Sequence, residues 1–389
     1  MFETLQSPPA DALHAVMGAF AADTRADKID LGVGVYRDES GHSPIMRAVQ
    51  LAERELAVEE GTKAYLPLRG FPPFLEQMAG LLFPEGAPPE LAAIQSVGGT
   101  GAISLALELA HLANPELTVH IARPTWPNHF GVCHRLGVPT CAFDYLDHAT
   151  GEPDLNAFVE QIDIASAGDI VILHGPCHNP TGRDLNPVGV ARIVCEAQKK
   201  GVRCLIDAAY YGLGNQLDTD LSQLRRLLQI SPETMLVLSG SKAFGLYRDR
   251  IGVLFLNTET ESARDTVLSN LETLARANYS MPAAHGAQVI ARILETTELR
   301  KAWEAELTEM QKRILSLRSA ITEHAQGHNV FSRISSDKGI FSSLPISADV
   351  VGRLAKDEAI YMPQSGRINV AGLSHDQVPQ FVEAVIRCV

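Results

Sequence analysis

Along the middle of the chain, short continuous apolar runs alternate with longer stretches whose apolar positions recur every three or four residues. The runs at 119–122, 170–174, 204–207, 236–239 and 252–256 read as buried strands. Between them, 186–200 and 220–229 carry helical spacing. This alternation predicts an α/β domain with a mostly parallel sheet flanked by helices. Ligands of such sheets gather at the carboxyl ends of the strands. Further on the pattern changes. A long helical repeat over 297–324, with Trp303, Leu307, Met310, Ile314 and Leu317 on its apolar side, precedes short strand-like pieces at 339–344 and 367–370. We expect a large domain over 41–300 and a smaller α+β domain from 1–40 and 301–389, the N-terminal segment returning to join the C-terminal one. The proline- and glycine-rich stretch 84–89 reads as surface turns.

Composition narrows the function classes. With 33 basic and 46 acidic residues the net charge is −13, which disfavours nonspecific binding to nucleic acid or to an anionic membrane. No apolar run approaches the roughly 18 residues of a membrane span. The first nine residues lack the basic region and apolar core of a leader. Cys133, Cys141, Cys177, Cys195, Cys204 and Cys388 are scattered without metal-ligand spacing, which fits a reducing compartment and a cytoplasmic protein. His174, Cys177 and His178 stand close together, but no second cluster completes a metal site.

The chemistry concentrates in Ser239-Gly-Ser-Lys242-Ala-Phe-Gly-Leu-Tyr-Arg-Asp-Arg250. A lysine that condenses with an aldehyde must lose its proton near neutral pH, so it needs surroundings that disfavour the ammonium form. Ser239, Ser241 and Arg250 offer hydroxyls and a guanidinium fork to a phosphate. Upstream, Leu205-Ile-Asp207-Ala-Ala-Tyr210 ends an apolar run in a lone acid, the partner a pyridinium nitrogen requires. Each piece alone is an ordinary loop or helix cap; together they point to pyridoxal 5′-phosphate. Gly98-Gly-Thr-Gly-Ala102 opens a helical stretch, and a glycine turn there exposes backbone N–H groups to a phosphate. Neither this turn nor Gly32-Val-Gly34 completes a nucleotide-binding fingerprint. In Pro124-Thr-Trp126-Pro-Asn-His129 the tryptophan is either a turn anchor or a stacking face for a planar cofactor. Asn179, in Gly175-Pro-Cys-His-Asn179-Pro-Thr-Gly182, is either a turn residue or an amide presented to a ring oxygen.

In their order along the chain these segments resemble a class I (fold type I) aminotransferase of the aspartate/aromatic subgroup. The resemblance runs from Leu31-Gly-Val-Gly-Val-Tyr-Arg37 through Tyr65-Leu-Pro, the motifs above and Arg276-Ala-Asn-Tyr-Ser280, to Ser365-Gly-Arg-Ile-Asn-Val-Ala-Gly372. It implies the fold type I architecture of pyridoxal-phosphate transferases and a homodimer with shared active sites. Lys242 would condense with the cofactor and, once displaced by substrate, carry the substrate proton. Asp207 would pair with the pyridine nitrogen, with His129 and His174 behind it. Tyr210 and Asn179 would bond the phenolic oxygen, and Trp126 would stack on the ring. Gly99, Thr100, Ser239, Ser241 and Arg250 would hold the phosphate, with Tyr65 reaching in from the partner subunit. Arg367 would take the α-carboxylate as a bidentate pair, assisted by Asn179 and the backbone near Gly34. Arg276, also from the partner, would take a side-chain carboxylate.

The implied reaction moves the amino group of L-aspartate, with aromatic amino acids as additional donors, to 2-oxoglutarate. The chain departs from the aspartate pattern at Ala64, Ala243, Met281 and Ala283, where smaller or more apolar residues would admit aromatic side chains. An aromatic aminotransferase with little aspartate activity is one alternative, and a pyridoxal-phosphate β-lyase or decarboxylase on the same fold is another. A pyridoxal-phosphate-sensing regulator would need an added basic DNA-binding segment, and only about thirty residues precede Leu31.

Overall fold

The computed structural model describes residues 2–6 and 12–389, and the chain divides into two compact units. One comprises Ile45–Asn179 and Arg183–Lys312; the other takes in Pro180–Gly182, Arg313–Val389 and the described part of Met1–Pro44. The N-terminal nine residues read for a leader lie partly outside the described residues.

The first unit is built on a seven-stranded sheet. In spatial order its strands are Leu91–Val97, Ile251–Asn257, Met235–Ser239, Arg203–Ala208, Ile170–His174, Val119–Arg123 and Thr140–Asp144. The last five pair parallel; Ile251–Asn257 runs against both of its neighbours, so six strands point one way and one is reversed. The central strands are apolar on both faces, with Met235–Ser239 buried throughout, because helices cover both sides. Gly98–Ala113 and Glu261–Tyr279 contribute Ile103, Leu105, Leu107, Leu268 and Leu271 to that core. The helix expected at 186–200 forms over Pro187–Lys200. Asn186 caps it by accepting the Gly189 N–H at 2.8 Å, proline takes the first turn and Gly201 ends it in the left-handed region.

The second unit has its own core, in which Leu317 and Ile321 meet Leu354, Ile368, Phe381 and Val385. Ile29–Asp30 pairs parallel with Ile360–Tyr361. Phe341–Ser343 pairs antiparallel with Arg367–Asn369. Beneath this ribbon the buried guanidinium of Arg318 donates to the carbonyls of Ile334, Gly339 and Phe341 at 2.9, 2.8 and 2.7 Å and to the Ser342 hydroxyl at 2.7 Å. The long helix spans Thr297–Ala325, and the division of the chain falls within it. No described helix is long and apolar enough to cross a membrane.

Candidate active site

Strand direction decides where the chemistry collects. Six strands end at one edge of the sheet and the reversed strand begins there, so the turns that follow 97, 123, 174, 208 and 239 meet the turn that precedes 251. The resulting cleft is lined by Gly99 and Thr100 after the first strand, Trp126 after the second, His174 at the end of the third with Asn179 beyond it, and Asp207 near the end of the fourth with Tyr210 beyond it. Ser239, Ser241, Lys242 and Arg250 complete it. All ten cofactor residues expected from the same chain thus share one cavity, with Ile103 and Ala209 added to its wall.

Lys242 lies on the short helix Gly240–Ala243. Ser239 starts that helix by accepting the Ser241 N–H at 3.2 Å, which leaves its own hydroxyl hydrogen to donate. Below, the indole N–H of buried Trp303 donates to the Ala243 carbonyl at 2.7 Å, and its ring stacks on Phe244 at 4.4 Å. Burial lowers the Lys242 pKa to about 8; Arg250 pushes the same way, and Asp207 opposes both. The Lys242 ammonium stands 4.9 Å from the centroid of the Tyr210 ring.

Burial alone would raise the Asp207 pKa, but the hydrogen bond from His129, at 3.2 Å, holds it below the ordinary carboxylate value. Behind His129 a residue absent from the sequence-based site completes a chain. Thr125 Oγ1 lies 2.9 Å from His129 Nδ1 and 2.7 Å from His174 Nε2. Burial, reinforced by His129, drives the His174 pKa down to about 3, so His174 stays neutral. The Thr125 hydroxyl thus bridges the two rings, and His129 Nε2 faces Asp207, so the tautomers of the two histidines set which atom donates along the chain. The signal available in the sequence is the four-residue spacing of Thr125 and His129 at a strand end. His178 belongs to the scaffold: its ring stacks on Tyr145 at 3.8 Å, nearly parallel.

The end of the cleft formed by Gly98, Ser241 and Arg250 is equally specific. Gly98 begins its helix at φ +66°, its N–H donates to the Arg250 carbonyl at 2.9 Å, and a Cβ there would run into the Arg250 guanidinium. Arg250, itself at φ +54°, donates to Ser241 Oγ at 3.2 Å. Hydroxyls, a guanidinium and the open N–H groups of a 16-residue helix therefore converge at one end of the cleft. At its wall the amide oxygen of Asn179 is buried without a hydrogen-bond partner, an acceptor that an N–H or O–H of a ligand would satisfy, while its Nδ2 remains a donor. The donor set and the amine fit pyridoxal phosphate.

Three other expected residues lie outside this cavity, and a fourth accompanies one of them. In the second unit a Cβ on Gly34 would fall 2.7 Å from the Phe341 ring, which also underlies the Arg367 guanidinium at 4.5 Å. Arg367 donates to the Gly32 carbonyl, and Asn369 donates to the carbonyls of Val33 and Val35, each at 2.7 Å. Tyr65 is 91% exposed, and Arg276 is exposed on the last turn of its helix.

The family model described as aminotransferase class I and II matches residues 26–385. The chain belongs to this family. It is an aminotransferase, 39% identical over 390 residues to the aromatic-amino-acid aminotransferase of Paracoccus denitrificans, with 99% of each chain covered. It is 38% identical to the aspartate aminotransferase of Haemophilus influenzae over the whole of both chains. An aromatic-amino-acid aminotransferase of Burkholderia pseudomallei, solved covalently bound to pyridoxal phosphate, superposes with a TM-score of 0.96 at 32% identity, covering 100% of this aminotransferase and 99% of that chain. The fold is thus that of pyridoxal-phosphate aminotransferases, an α/β architecture with a mostly parallel sheet.

Proposed function

We propose that this aminotransferase moves the amino group of L-aspartate, and of aromatic amino acids, to 2-oxoglutarate in a ping-pong cycle, as a cytoplasmic homodimer with shared sites. The observation that carries the reading is the meeting of a lysine amine with a pKa near 8, an anionic aspartate and a phosphate-binding donor set in one cleft. Aspartate and aromatic donors are chosen because similar proteins of both names cover the full chain. In this reading 41–300 is the large cofactor-binding domain, and 1–40 with 301–389 is the small one.

Pyridoxal phosphate, when bound, supplies an aldehyde carbon for the amine and an electron-poor ring that acidifies the Cα–H bond. Lys242 Nζ takes the proton from the Cα of the donor and, as an ammonium, returns one to the Cα of the acceptor. Asp207, kept anionic by His129, holds a proton at the ring nitrogen. Arg250, Ser239, Ser241 and the N–H groups of Gly99 and Thr100 bind the phosphate. Trp126 orients the ring, while Tyr210 and Asn179 donate to its phenolic oxygen. Arg367, braced by Phe341 and the Gly32 carbonyl, grips the α-carboxylate with the backbone near Gly34. The exposure of Tyr65 and Arg276 supports their lending to a second subunit, Tyr65 to the phosphate and Arg276 to a side-chain carboxylate.

A narrower aromatic specificity is favoured by one contact, the Met281 thioether at 3.0 Å from the Leu66 N–H, which sets an apolar side chain beside Tyr65. Titrating the holoenzyme by absorbance with L-aspartate and, separately, L-phenylalanine decides between them. A change with aspartate that 2-oxoglutarate reverses is the expected result. A response to phenylalanine alone would make it an aromatic enzyme. Pyruvate released from a cysteine conjugate, without transfer to a keto acid, would make it a lyase.

A further inference from the structure

Gln95 is fully buried in the strand Leu91–Val97, and the mechanism above gives it no work. Both ends of its amide are engaged. Oε1 accepts the Phe71 N–H at 2.8 Å, and Nε2 donates to the Ala283 carbonyl at 2.8 Å. A backbone N–H can only donate and a carbonyl can only accept, so these partners fix the orientation of the amide. The Gln95 backbone continues the pattern: its N–H donates to the Arg69 carbonyl at 2.9 Å, and its carbonyl accepts the Tyr279 hydroxyl at 3.5 Å. Gly70, at φ +112°, passes so close that any side chain there would collide with Gln95.

The two segments clamped in this way are those that carry Tyr65 and Arg276. Residues 65–71 are held through Arg69 and Phe71, and the last turn of the helix Glu261–Tyr279, with Arg276, and the residues after it through Tyr279 and Ala283. The half-buried Leu66–Met281 contact and the Arg69–Glu272 ion pair at 2.9 Å join 65–71 to the same helix and the turn that follows it. An exposed ion pair of that kind fixes little on its own. A buried amide with both ends satisfied fixes geometry, because releasing either end leaves a polar group unpaired.

We propose that Gln95 is a positioning residue that sets the placement of Tyr65 and Arg276 together, and so acts on the active site of the partner subunit rather than on its own. The inference rests on the shared-site reading above. Gln95→Met keeps the volume and removes both hydrogen bonds. In the homodimer it is expected to raise KM for L-aspartate by roughly tenfold while leaving kcat within about threefold, a loss in the range that sub-ångström misplacement of a binding group produces.

The deciding measurement uses hybrid dimers of a Gln95→Met subunit with a Lys242→Ala subunit. The only competent site then carries Lys242 from the Gln95→Met chain and borrowed residues from a chain with intact Gln95. A wild-type KM in the hybrid supports the proposal; a KM that stays raised overturns it, because Gln95 would then act within its own site. A parallel hybrid of Arg276→Ala with Lys242→Ala tests the shared site itself. A raised KM there would sink that reading independently. Gln95→Glu, which keeps the acceptor toward Phe71, is carried through the same hybrid. Failure of both Gln95 variants to assemble would also overturn the proposal, by making Gln95 a requirement for folding.

Discussion

Lys242 stands between two opposed influences, burial that favours the neutral amine and Asp207 that favours the ammonium, and burial prevails, leaving a pKa near 8. The amine that condenses with an aldehyde is the unprotonated one. Cofactor uptake by the apoenzyme is therefore expected to accelerate as pH rises through 8 and to level off above it, followed by stopped-flow absorbance. A rate still climbing toward pH 10 would show an unperturbed lysine. Lys242→Ala is expected to lower kcat by on the order of 10³-fold or more, and retention of transamination would remove the assigned base. Residues of this kind were legible in the sequence because the chemistry requires their type: a lysine, a lone acid at a strand end, a guanidinium. Thr125 and Gln95 were not. Threonine and glutamine are ordinary in strands and turns, and their roles exist only through partners that the fold brings close.

At the scale of elements, the ends of three strands are tied together by the Thr125 hydroxyl and the two histidines. Thr125→Val keeps the shape and orphans both rings, and is expected to cost about 1–3 kcal/mol in urea unfolding. No change would mean that the chain of hydrogen bonds is incidental. His174 adds a pH dependence. Its pKa is about 3 in the fold against 6.5 for an exposed histidine, so its contribution is complete above pH 6.5 and is lost as pH falls toward 3. His174→Gln should flatten that part of the stability profile, measured by thermal unfolding across the acid range. The strands and helices around this knot were largely readable. The expected runs reappear within a residue or two, because centrally buried strands are apolar on both faces. Leu91–Val97 and Thr140–Asp144 escaped notice. Ala, Gln and Ser dilute the first, and the second, at the sheet edge, alternates between exposed and half-buried positions.

For the whole molecule, the exposure of Tyr65 and Arg276 would make assembly a kinetic variable under the shared-site proposal. If each subunit completes the other's site, specific activity should fall on dilution in step with dissociation measured by sedimentation, and KM for L-aspartate should be that of Arg276→Ala wherever monomers are still active. Monomers with an undiminished response to aspartate would end the shared-site proposal. The expectation of a homodimer came only through resemblance, since no pattern of apolar residues announces which exposed side chains a second copy would cover. The register of the sheet bears on another matter. His174 stands opposite Asp207 across parallel strands, and side chains along a strand alternate between faces. Losing one codon between 203 and 206 would turn the acid away from the cleft while preserving most of the apolar sequence. Insertions and deletions compatible with transamination are therefore confined to the turns and helices, and a deletion library would trace the five parallel strands as its silent intervals.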